Sequence, residues 1–386
     1  MKVSTLCIGW RPSSFFGWGV FGLNLAVELE CRAKGAKPLI LGRLQRDDVV
    51  VDAVRARLLG QTFARSEEHQ RRFGTKPPKG QPMLVALNHS FVDEAVGDNC
   101  SGFMFLENTA MAPEALERGR RFRRILAGSS WNTEILQARG FAAVQTVLQG
   151  VDSSLFCPGP KRGLFGERFV VFSGGKLEFR KGQDIVVKAF KAFQSRRRDA
   201  LLAVCWGNPF PKSVASIAEG PHGLGAPRVL VNNTVDIDGW LKDCGLPAGS
   251  WANLGFVANA LMPGVLREVD LAVFPNRCEG GTNLVAMEAM ACGVPVVLSA
   301  NTGHKDIIRD GACWSLDRQP APARAPPRVG AEGGGVSDVD ELVEAMEAAW
   351  QDRDQARRRG LAGAELMRGM DWAGQTDAIL KAVGAL

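Results

Sequence analysis

Short apolar segments alternate with helical patterns along almost the whole chain, and this alternation limits the possible folds more than any other feature. A strand at Val3–Ile8 is followed by a glycine-rich turn, Gly17–Gly22, and a helix. The second half restarts in the same way, with a strand at Phe169–Ser173 and a helix at Gly182–Ser195. This order is typical of parallel sheets covered by helices. We predict an α/β protein of two Rossmann-like halves with a cleft between them, beyond the carboxyl ends of the strands.

The length supports two domains, because 386 residues exceed what one hydrophobic core usually serves. The junction is predicted within residues 149–166, which contain several glycines and prolines. We place the domains at 1–155 and 156–370, with a C-terminal helix at 371–386 that returns to the first domain. A Pro-, Ala- and Gly-rich stretch at 319–336 indicates a flexible surface insertion. Further strands are predicted at Pro38–Leu41, Met83–Leu87, Gly102–Leu106, Arg124–Ala127, Ala143–Leu148, Leu201–Trp206, Val229–Asn232, Asn253–Gly255, Leu271–Phe274 and Val294–Ser299, and further helices at 337–350 and 354–369.

Composition excludes several classes of protein. With 46% hydrophobic and 23% charged residues, the chain is neither disordered nor fibrous. No apolar run approaches 18 residues, and the N-terminal run is too short for a signal peptide, so we expect a cytoplasmic protein. The nine cysteines are odd in number and show no CxxC spacing, so neither disulfides nor a zinc site is expected.

The positive charge lies in the first half. Residues 1–150 hold 20 Lys+Arg and 14 Asp+Glu, which accounts for the whole net charge of +6. The densest run is Arg118–Arg124, and Arg71 and Arg72 lie upstream. Such a run suits peripheral contact with an anionic membrane or a phosphorylated acceptor. The alternative is an ordinary solvated helix face. Nucleic acid is not expected, because no nucleic-acid-binding motif accompanies the charge.

The most informative segment is 274–297, with the sequence FPNRCEGGTNLVAMEAMACGVPVV. A buried strand leads into a polar glycine-containing loop, and a helix follows with Thr282 or Asn283 as its N-cap. Free amides at Gly281–Leu284 and the helix dipole suit an anionic group. Glu279 precedes the helix and Glu288 lies within it, and a carboxylate there can accept hydrogen bonds from a sugar diol.

This segment resembles the motif of retaining nucleotide-sugar glycosyltransferases of the GT-B fold, often called glycosyltransferase group 1. The family pattern is E-G-x-G-L-x-x-x-E-A-M-A-x-G-x-P-V-V. The resemblance implies two Rossmann-like domains that face each other across a central cleft, the first binding the acceptor and the second the nucleotide sugar. Four other segments are similar to family elements: the glycine-rich Gly17–Gly22, the interdomain stretch Gly150–Pro158, the phosphate-binding element Gly174–Asp184 and the turn Ala300–Ile308.

The resemblance also assigns roles to residues. Glu288 would hold the ribose hydroxyls of the donor. Lys176 and Lys181 would neutralise its diphosphate as the glycosidic bond breaks, without a metal ion. The remaining donor contacts would come from Gly17 and Gly19 in the first domain and from Gly281, Thr282, Asn283 and Leu284 in the second. No cofactor is expected beyond the nucleotide-sugar substrate.

Two departures from the family pattern concern the catalytic residues. The spacing here is Glu-x8-Glu instead of Glu-x7-Glu, so Gly280 occupies the position of the first glutamate. Either Glu279 reaches the donor hexose through a one-residue bulge, which we favour, or the backbone of residues 281–283 makes that contact. The family histidine after a first-domain strand is replaced by Glu107, a candidate cleft residue. His89 follows another strand and is a second candidate, and His304 is a third.

We predict a metal-independent, retaining transfer of a hexose from a nucleotide-diphosphate sugar to a hydroxyl of a glycan, glycolipid or cell-surface polysaccharide precursor. One alternative is a GT-B sugar-nucleotide epimerase. Such an enzyme needs carboxylate and histidine acid/base residues at the sugar ring, and the small number of histidines, four in the chain, argues against it. Another is a non-catalytic sugar-nucleotide-binding protein, which the altered glutamate spacing suggests. An NAD-dependent oxidoreductase is disfavoured, because Gly17-x-Gly19-x-x-Gly22 follows a nine-residue loop and has no well-placed acidic partner.

Overall fold

Two parallel sheets organise the chain in a computed structural model that describes residues 5–91, 99–320 and 332–385. Each sheet has six strands within these residues, and every strand pairs in parallel with its neighbours. The first contains β1 (Thr5–Ile8), β2 (Lys37–Ile40), β3 (Met83–Leu87), β4 (Cys100–Met104), β5 (Ile125–Ala127) and β6 (Val144–Thr146). The second contains β7 (Phe169–Lys176), β8 (Ala200–Gly207), β9 (Trp251–Asn253), β10 (Leu271–Phe274), β11 (Val296–Ser299) and β12 (Trp314–Leu316).

The strand order places the first strand of each half inside its sheet. The order is β2-β1-β3-β4-β5-β6 in the first sheet and β12-β11-β10-β7-β8-β9 in the second. In β7, Phe169 and Val171 pack on one face of the sheet while Val170 and Phe172 pack on the other. Both faces are therefore buried, as is typical of parallel strands covered by helices.

Eleven α-helices accompany the strands in the described ranges. They are α1 (Gly17–Cys31), α2 (Ala53–Phe73), α3 (Pro113–Gly119), α4 (Ser130–Ala138), α5 (Gln183–Arg196), α6 (Ile237–Asp243), α7 (Met262–Leu266), α8 (Leu284–Ala291), α9 (Val339–Gln351), α10 (Arg353–Arg368) and α11 (Trp372–Val383). No helix of the described residues is both long enough and apolar enough to cross a bilayer. The nine cysteines are free thiols, and six of them are buried.

Two local predictions are wrong. The segment Gly17–Gly22 is the start of α1 and not a turn. Its glycines are explained by packing, because the helix approaches the preceding chain too closely for larger residues. A Cβ atom on Gly19 would lie 2.5 Å from Cβ of Ser13. The predicted strand at Val229–Asn232 is a largely exposed loop with one isolated bridge, from Val229 to Val235. Its apolar residues do not pack into the sheet.

The chain passes between the domains twice, and the two passages lie side by side. The amide of Val151 donates to the carbonyl of Met370 at 2.8 Å, and a bridge joins Val151 to Asp371. Beyond this point α11 packs on the first domain, where the Trp372 ring lies 5.1 Å from that of Phe21. A Cβ on Gly150 would lie 2.7 Å from the Trp372 backbone, so the crossing requires glycine.

Most of the predicted insertion 319–336 lies outside the described residues, but its last part is placed. Glu332 lies against the first domain, where its carbonyl accepts from Nε1 of Trp131 at 2.9 Å. Its amide donates to Oγ1 of Thr109 at 3.1 Å. The end of the insertion is therefore part of the interface between the two domains.

Candidate active site between the two sheets

The carboxyl ends of strands from both sheets bring a set of charged side chains together. Lys176 is the last residue of β7, and a 3-10 turn at Phe179–Lys181 follows it. Glu279 lies in the loop after β10, and Glu107 lies three residues beyond β4 in the other domain. Since carboxyl ends of parallel strands share an edge, the two domains present these residues to each other.

Arg180 is at the centre of this cluster. Its Nη2 lies 2.7 Å from Oε1 of Glu107 and 2.7 Å from Oε1 of Glu178. Its Nη1 lies 3.3 Å from Oε1 of Glu279. Burial alone would lower the pKa of this guanidinium, but Glu107, Glu178 and Glu279 outweigh burial and raise it. Arg180 therefore stays charged and holds residues of both domains.

The two predicted phosphate-binding lysines differ in their surroundings. The Lys181 side chain is 13% exposed, and its Nζ contacts Oε1 of Glu279 directly. Burial lowers the pKa of Lys181, against the opposing effect of that carboxylate. Lys176 is more exposed, and its Nζ is 3.9 Å from Glu107 and 3.7 Å from Glu178. Among the residues that the structure describes, the Lys176 ammonium thus has no ion pair shorter than 3.7 Å, and it can reorient towards a ligand.

Glu279 is held firmly by its neighbours. Asn276 donates to Oε1, which also contacts Lys181, while the Glu279 amide donates to Oγ1 of Thr302 at 2.8 Å. Burial would raise the pKa of Glu279, but Lys181 and Arg180 outweigh it and bring the pKa to about 2. Within the described residues Oε2 receives no hydrogen bond. One oxygen of an ionised carboxylate is therefore left for a hydroxyl.

The loop between Glu279 and α8 forms a cradle of backbone amides. Asn283 is the N-cap of α8 and has a positive φ of 63°. In the described part of the chain, the amides of Gly281–Leu284 donate to no protein acceptor. The loop is tightly enclosed, since a Cβ on Gly280 would lie 2.6 Å from the Leu106 carbonyl oxygen and one on Gly303 would lie 1.9 Å from that of Gly281. Free amides at a helix N-terminus suit a phosphate group.

Glu288 lies within α8 and is 3% exposed. Oε1 accepts from Nδ2 of Asn259 at 2.5 Å, and the Asn259 amide donates to the Ser14 carbonyl of the first domain at 2.8 Å. Burial raises the pKa of Glu288 to about 8, although the Asn259 hydrogen bond acts in the other direction. The carboxyl is therefore protonated at neutral pH in this structure.

His304 is fully buried behind the amide cradle. Its Nε2 is 3.1 Å from Nδ2 of Asn283, and its Nδ1 is 3.0 Å from Oγ of Ser299. Burial lowers the pKa of His304 to about 4, against the effect of Glu279. A neutral imidazole in these contacts positions Asn283 and has no exposed edge for a substrate.

The other candidates lie around this centre. Gly17 begins α1, and the next residue, Trp18, places its ring 4.6 Å from Phe105, which borders the cradle. His89 is half-buried two residues beyond β3, and none of the contacts of the charged cluster involves it. Within the described residues no group of three or more His, Cys, Asp or Glu side chains is arranged as a metal site.

The Arg118–Arg124 run begins in the last turn of α3 and ends just before β5, at the amino-terminal end of that strand. Arg118 donates to the Ser90 carbonyl at 2.7 Å, and Arg120 pairs with Glu117 at 2.6 Å. Arg121 and Arg123 are exposed.

The sequence did not indicate three residues of the site. Arg180 adjoins Lys181 in a matched motif, so a second cation beside the phosphate-binding lysine was an available signal. Thr302 lies in a turn that resembles a family element, but its bond to the Glu279 amide is tertiary. Asn259 follows an edge strand, and no local pattern connects it to Glu288.

Comparison with known proteins finds a family model that matches the second domain. Residues 167–352 match the family model described as Glycosyl transferases group 1. The second domain is a group 1 glycosyl transferase domain. The predicted resemblance to glycosyltransferase group 1 is thereby confirmed.

The chain is similar to a GDP-mannose-dependent alpha-(1-6)-phosphatidylinositol monomannoside mannosyltransferase of Mycolicibacterium smegmatis, with 27% identity over 235 residues. The match covers 58% of this chain and 51% of that protein, so the chain spans about half the length of this relative.

Two solved structures share the architecture. Sucrose-phosphate synthase of Thermosynechococcus elongatus has a TM-score of 0.66 at 14% identity, over 98% of each chain. HepE of Anabaena, solved with UDP and glucose, has a TM-score of 0.68 at 14% identity, over 100% of each chain. The predicted fold of two Rossmann-like domains, GT-B, is confirmed.

Proposed function

We propose that this protein transfers a hexose from a nucleoside-diphosphate sugar to a hydroxyl acceptor. One observation carries the proposal: the cations at the end of β7 and the free amides before α8 follow the carboxyl ends of two neighbouring strands, β7 and β10, and the helix itself carries Glu288. This arrangement offers separate places for a diphosphate and for a diol. The names of the relative and of the two solved structures, which mention a GDP-mannose donor, a sugar-phosphate synthase and bound UDP, support the same chemistry.

In this proposal the amides of Gly281–Leu284 and the cation of Lys176 bind the diphosphate. Their positive charge stabilises the negative charge that grows on the leaving phosphate as the glycosidic bond breaks. Lys181 acts mainly through Glu279, because its Nζ is in direct contact with that carboxylate. Glu279 offers Oε2 to a hydroxyl of the hexose. Glu288 holds the ribose diol, because its protonated carboxyl can donate to one hydroxyl oxygen and accept from the other.

Retention of configuration and independence from metal are further parts of the proposal. Both follow from the family resemblance, in which the leaving phosphate assists deprotonation of the acceptor. The three cations Lys176, Arg180 and Lys181 support metal independence, because they supply at the end of β7 the charge that a metal ion supplies elsewhere. Activity that survives treatment with EDTA would agree with this, and activity restored by Mg²⁺ or Mn²⁺ would contradict it.

The acceptor is proposed to be a glycan, a glycolipid or a cell-surface polysaccharide precursor. The mycobacterial relative, whose name includes a phosphatidylinositol mannoside, favours a glycolipid as the first acceptor to test and GDP-mannose as the first donor. We also retain the proposal of a cytoplasmic enzyme that contacts anionic membrane through Arg118–Arg124.

The deciding experiment measures release of nucleoside diphosphate from UDP-, GDP-, ADP- and dTDP-sugars with a panel of acceptors. We expect one base to be preferred, and we expect Lys176→Ala to lower kcat/KM by about 100-fold or more, as loss of one charge-stabilising donor does elsewhere. Lys79→Ala is the matched control, because it removes an exposed lysine remote from the cleft. Donor binding without turnover for any acceptor would instead support a non-catalytic sugar-nucleotide-binding protein.

A further inference from the structure

The charged cluster at the cleft is electrically balanced without any ligand. Its three cations are matched by three carboxylates: Lys176, Arg180 and Lys181 against Glu107, Glu178 and Glu279. A donor diphosphate brings two more negative charges into the same place. Because like charges repel strongly in a partly buried site, the diphosphate is held well only when a carboxylate withdraws.

The three carboxylates differ in their freedom to withdraw. The Glu279 side chain is 6% exposed and is fixed by Asn276 as well as by the cations. That of Glu178 is 17% exposed and belongs to the same turn as Arg180. The Glu107 side chain is 41% exposed, and its backbone belongs to the other domain. Glu107 can therefore move away without disturbing the second domain.

Arg180 itself is fixed in place. Its side chain is 5% exposed, and Nη1 donates to the Cys278 carbonyl at 3.0 Å in addition to its contacts with carboxylates. When the pair between Arg180 and Glu107 opens, the carboxylate is the partner that moves. Lys176, at 3.9 Å from Glu107, loses the same competitor in that step.

We propose that Glu107 is an electrostatic gate which occupies the place of the donor diphosphate on Arg180 and Lys176 and is displaced when the donor binds. The inference rests on the proposed function and adds a means of regulation to that site. In the donor-free protein Glu107 also ties the first domain to the second. Arrival of the diphosphate breaks this tie and leaves a free carboxylate at the edge of the cleft.

The test compares wild type with Glu107→Gln, which keeps the shape of the side chain and removes its charge. Inorganic pyrophosphate, UDP and GDP are titrated by calorimetry, and uridine and guanosine serve as uncharged probes. The Glu107 carboxylate is 41% exposed, so solvent screens its effect on a competing anion to about the value of a surface pair, about 1 kcal/mol. We therefore expect the variant to bind the diphosphates about fivefold more tightly. Binding of the nucleosides stays unchanged, which a general structural effect would not produce.

Glu107→Ala is the second variant and is expected to act in the same direction. Glu117→Gln is the control, because Glu117 pairs with Arg120 on the remote edge of the same domain. Equal or weaker pyrophosphate binding in both folded Glu107 variants would overturn the gate while leaving the donor site intact. If pyrophosphate, UDP and GDP bind to none of the proteins, the proposed function fails and the gate fails with it.

Discussion

Replacing Glu288 by glutamine removes a carboxyl group that the fold keeps protonated at neutral pH. Glu288 is buried on α8 against the Asn259 amide, and burial raises its pKa from 4.5 to about 8. Glutamine has the same shape, keeps an oxygen for Asn259 and is neutral at every pH. The substitution therefore isolates the effect of the ionisable proton on stability.

The sign follows from where the proton is bound. Below pH 4.5 the carboxyl is protonated in the folded and unfolded chains, so it contributes no pH dependence. Between pH 4.5 and 8 the unfolded chain loses this proton while the folded chain keeps it, so the wild type loses stability as the pH rises. The full difference of about 3.5 on the pH scale is worth at most about 5 kcal/mol at 1.36 kcal/mol per unit.

The assay is thermal melting of wild type and Glu288→Gln at pH 5, 6, 7 and 8 in one buffer series. The variant should melt near the wild type at pH 5 and several degrees above it at pH 8, at roughly 2 °C per kcal/mol for a domain of this size. Glu365→Gln on α10, an exposed position, should show no such trend. A difference between Glu288→Gln and wild type that stays constant from pH 5 to 8 would refute the reasoning.

Glu279→Gln should behave in the opposite way, because the pKa of Glu279 is about 2 and its ionised form stabilises the fold above pH 4.5. We expect a loss of about 3 kcal/mol at pH 7, seen in the urea midpoint, that shrinks as the pH falls from 4.5 towards 2; a loss independent of pH would contradict the ion pairing. For the membrane proposal, Arg121→Glu with Arg123→Glu should reduce sedimentation with vesicles of anionic lipid, while neutral vesicles bind neither protein. Equal sedimentation of the variant and wild type with anionic vesicles would count against contact through this edge.

Strands could be predicted from the sequence wherever a run of apolar residues corresponds to a buried segment. The strands at Met83–Leu87 and Leu271–Phe274 have the predicted bounds, because both lie inside a sheet and their apolar runs end at polar loops. The period was misleading at Val229–Asn232, where apolar residues remain exposed. The 21-residue helix α2 was not predicted at all. Only four of its residues are buried, so its sequence is mostly polar and shows no clear apolar period.

The candidate site divides in the same way. The sequence predicts where Lys176, Lys181 and Glu288 lie relative to the strands and helices, because each follows a strand or lies on the helix after one. The side chains with which these residues form ion pairs and hydrogen bonds could not be predicted from the sequence. The contact of Glu107 with Arg180 joins two domains, and the link from Glu288 through Asn259 to Ser14 also spans the cleft. Such contacts depend on how the sheets meet, which no local spacing records.

The paired crossing of the chain between the domains has a mechanical consequence. Two adjacent chain segments joined by the hydrogen bond from Val151 to Met370 should resist twisting better than a single linker does. Gly150 lies against Trp372, so the two passages cannot slide past each other without unpacking α11. We therefore expect the domains to bend about the line of the two passages more easily than they twist, which would keep the charged ends of β4 and β7 opposite each other.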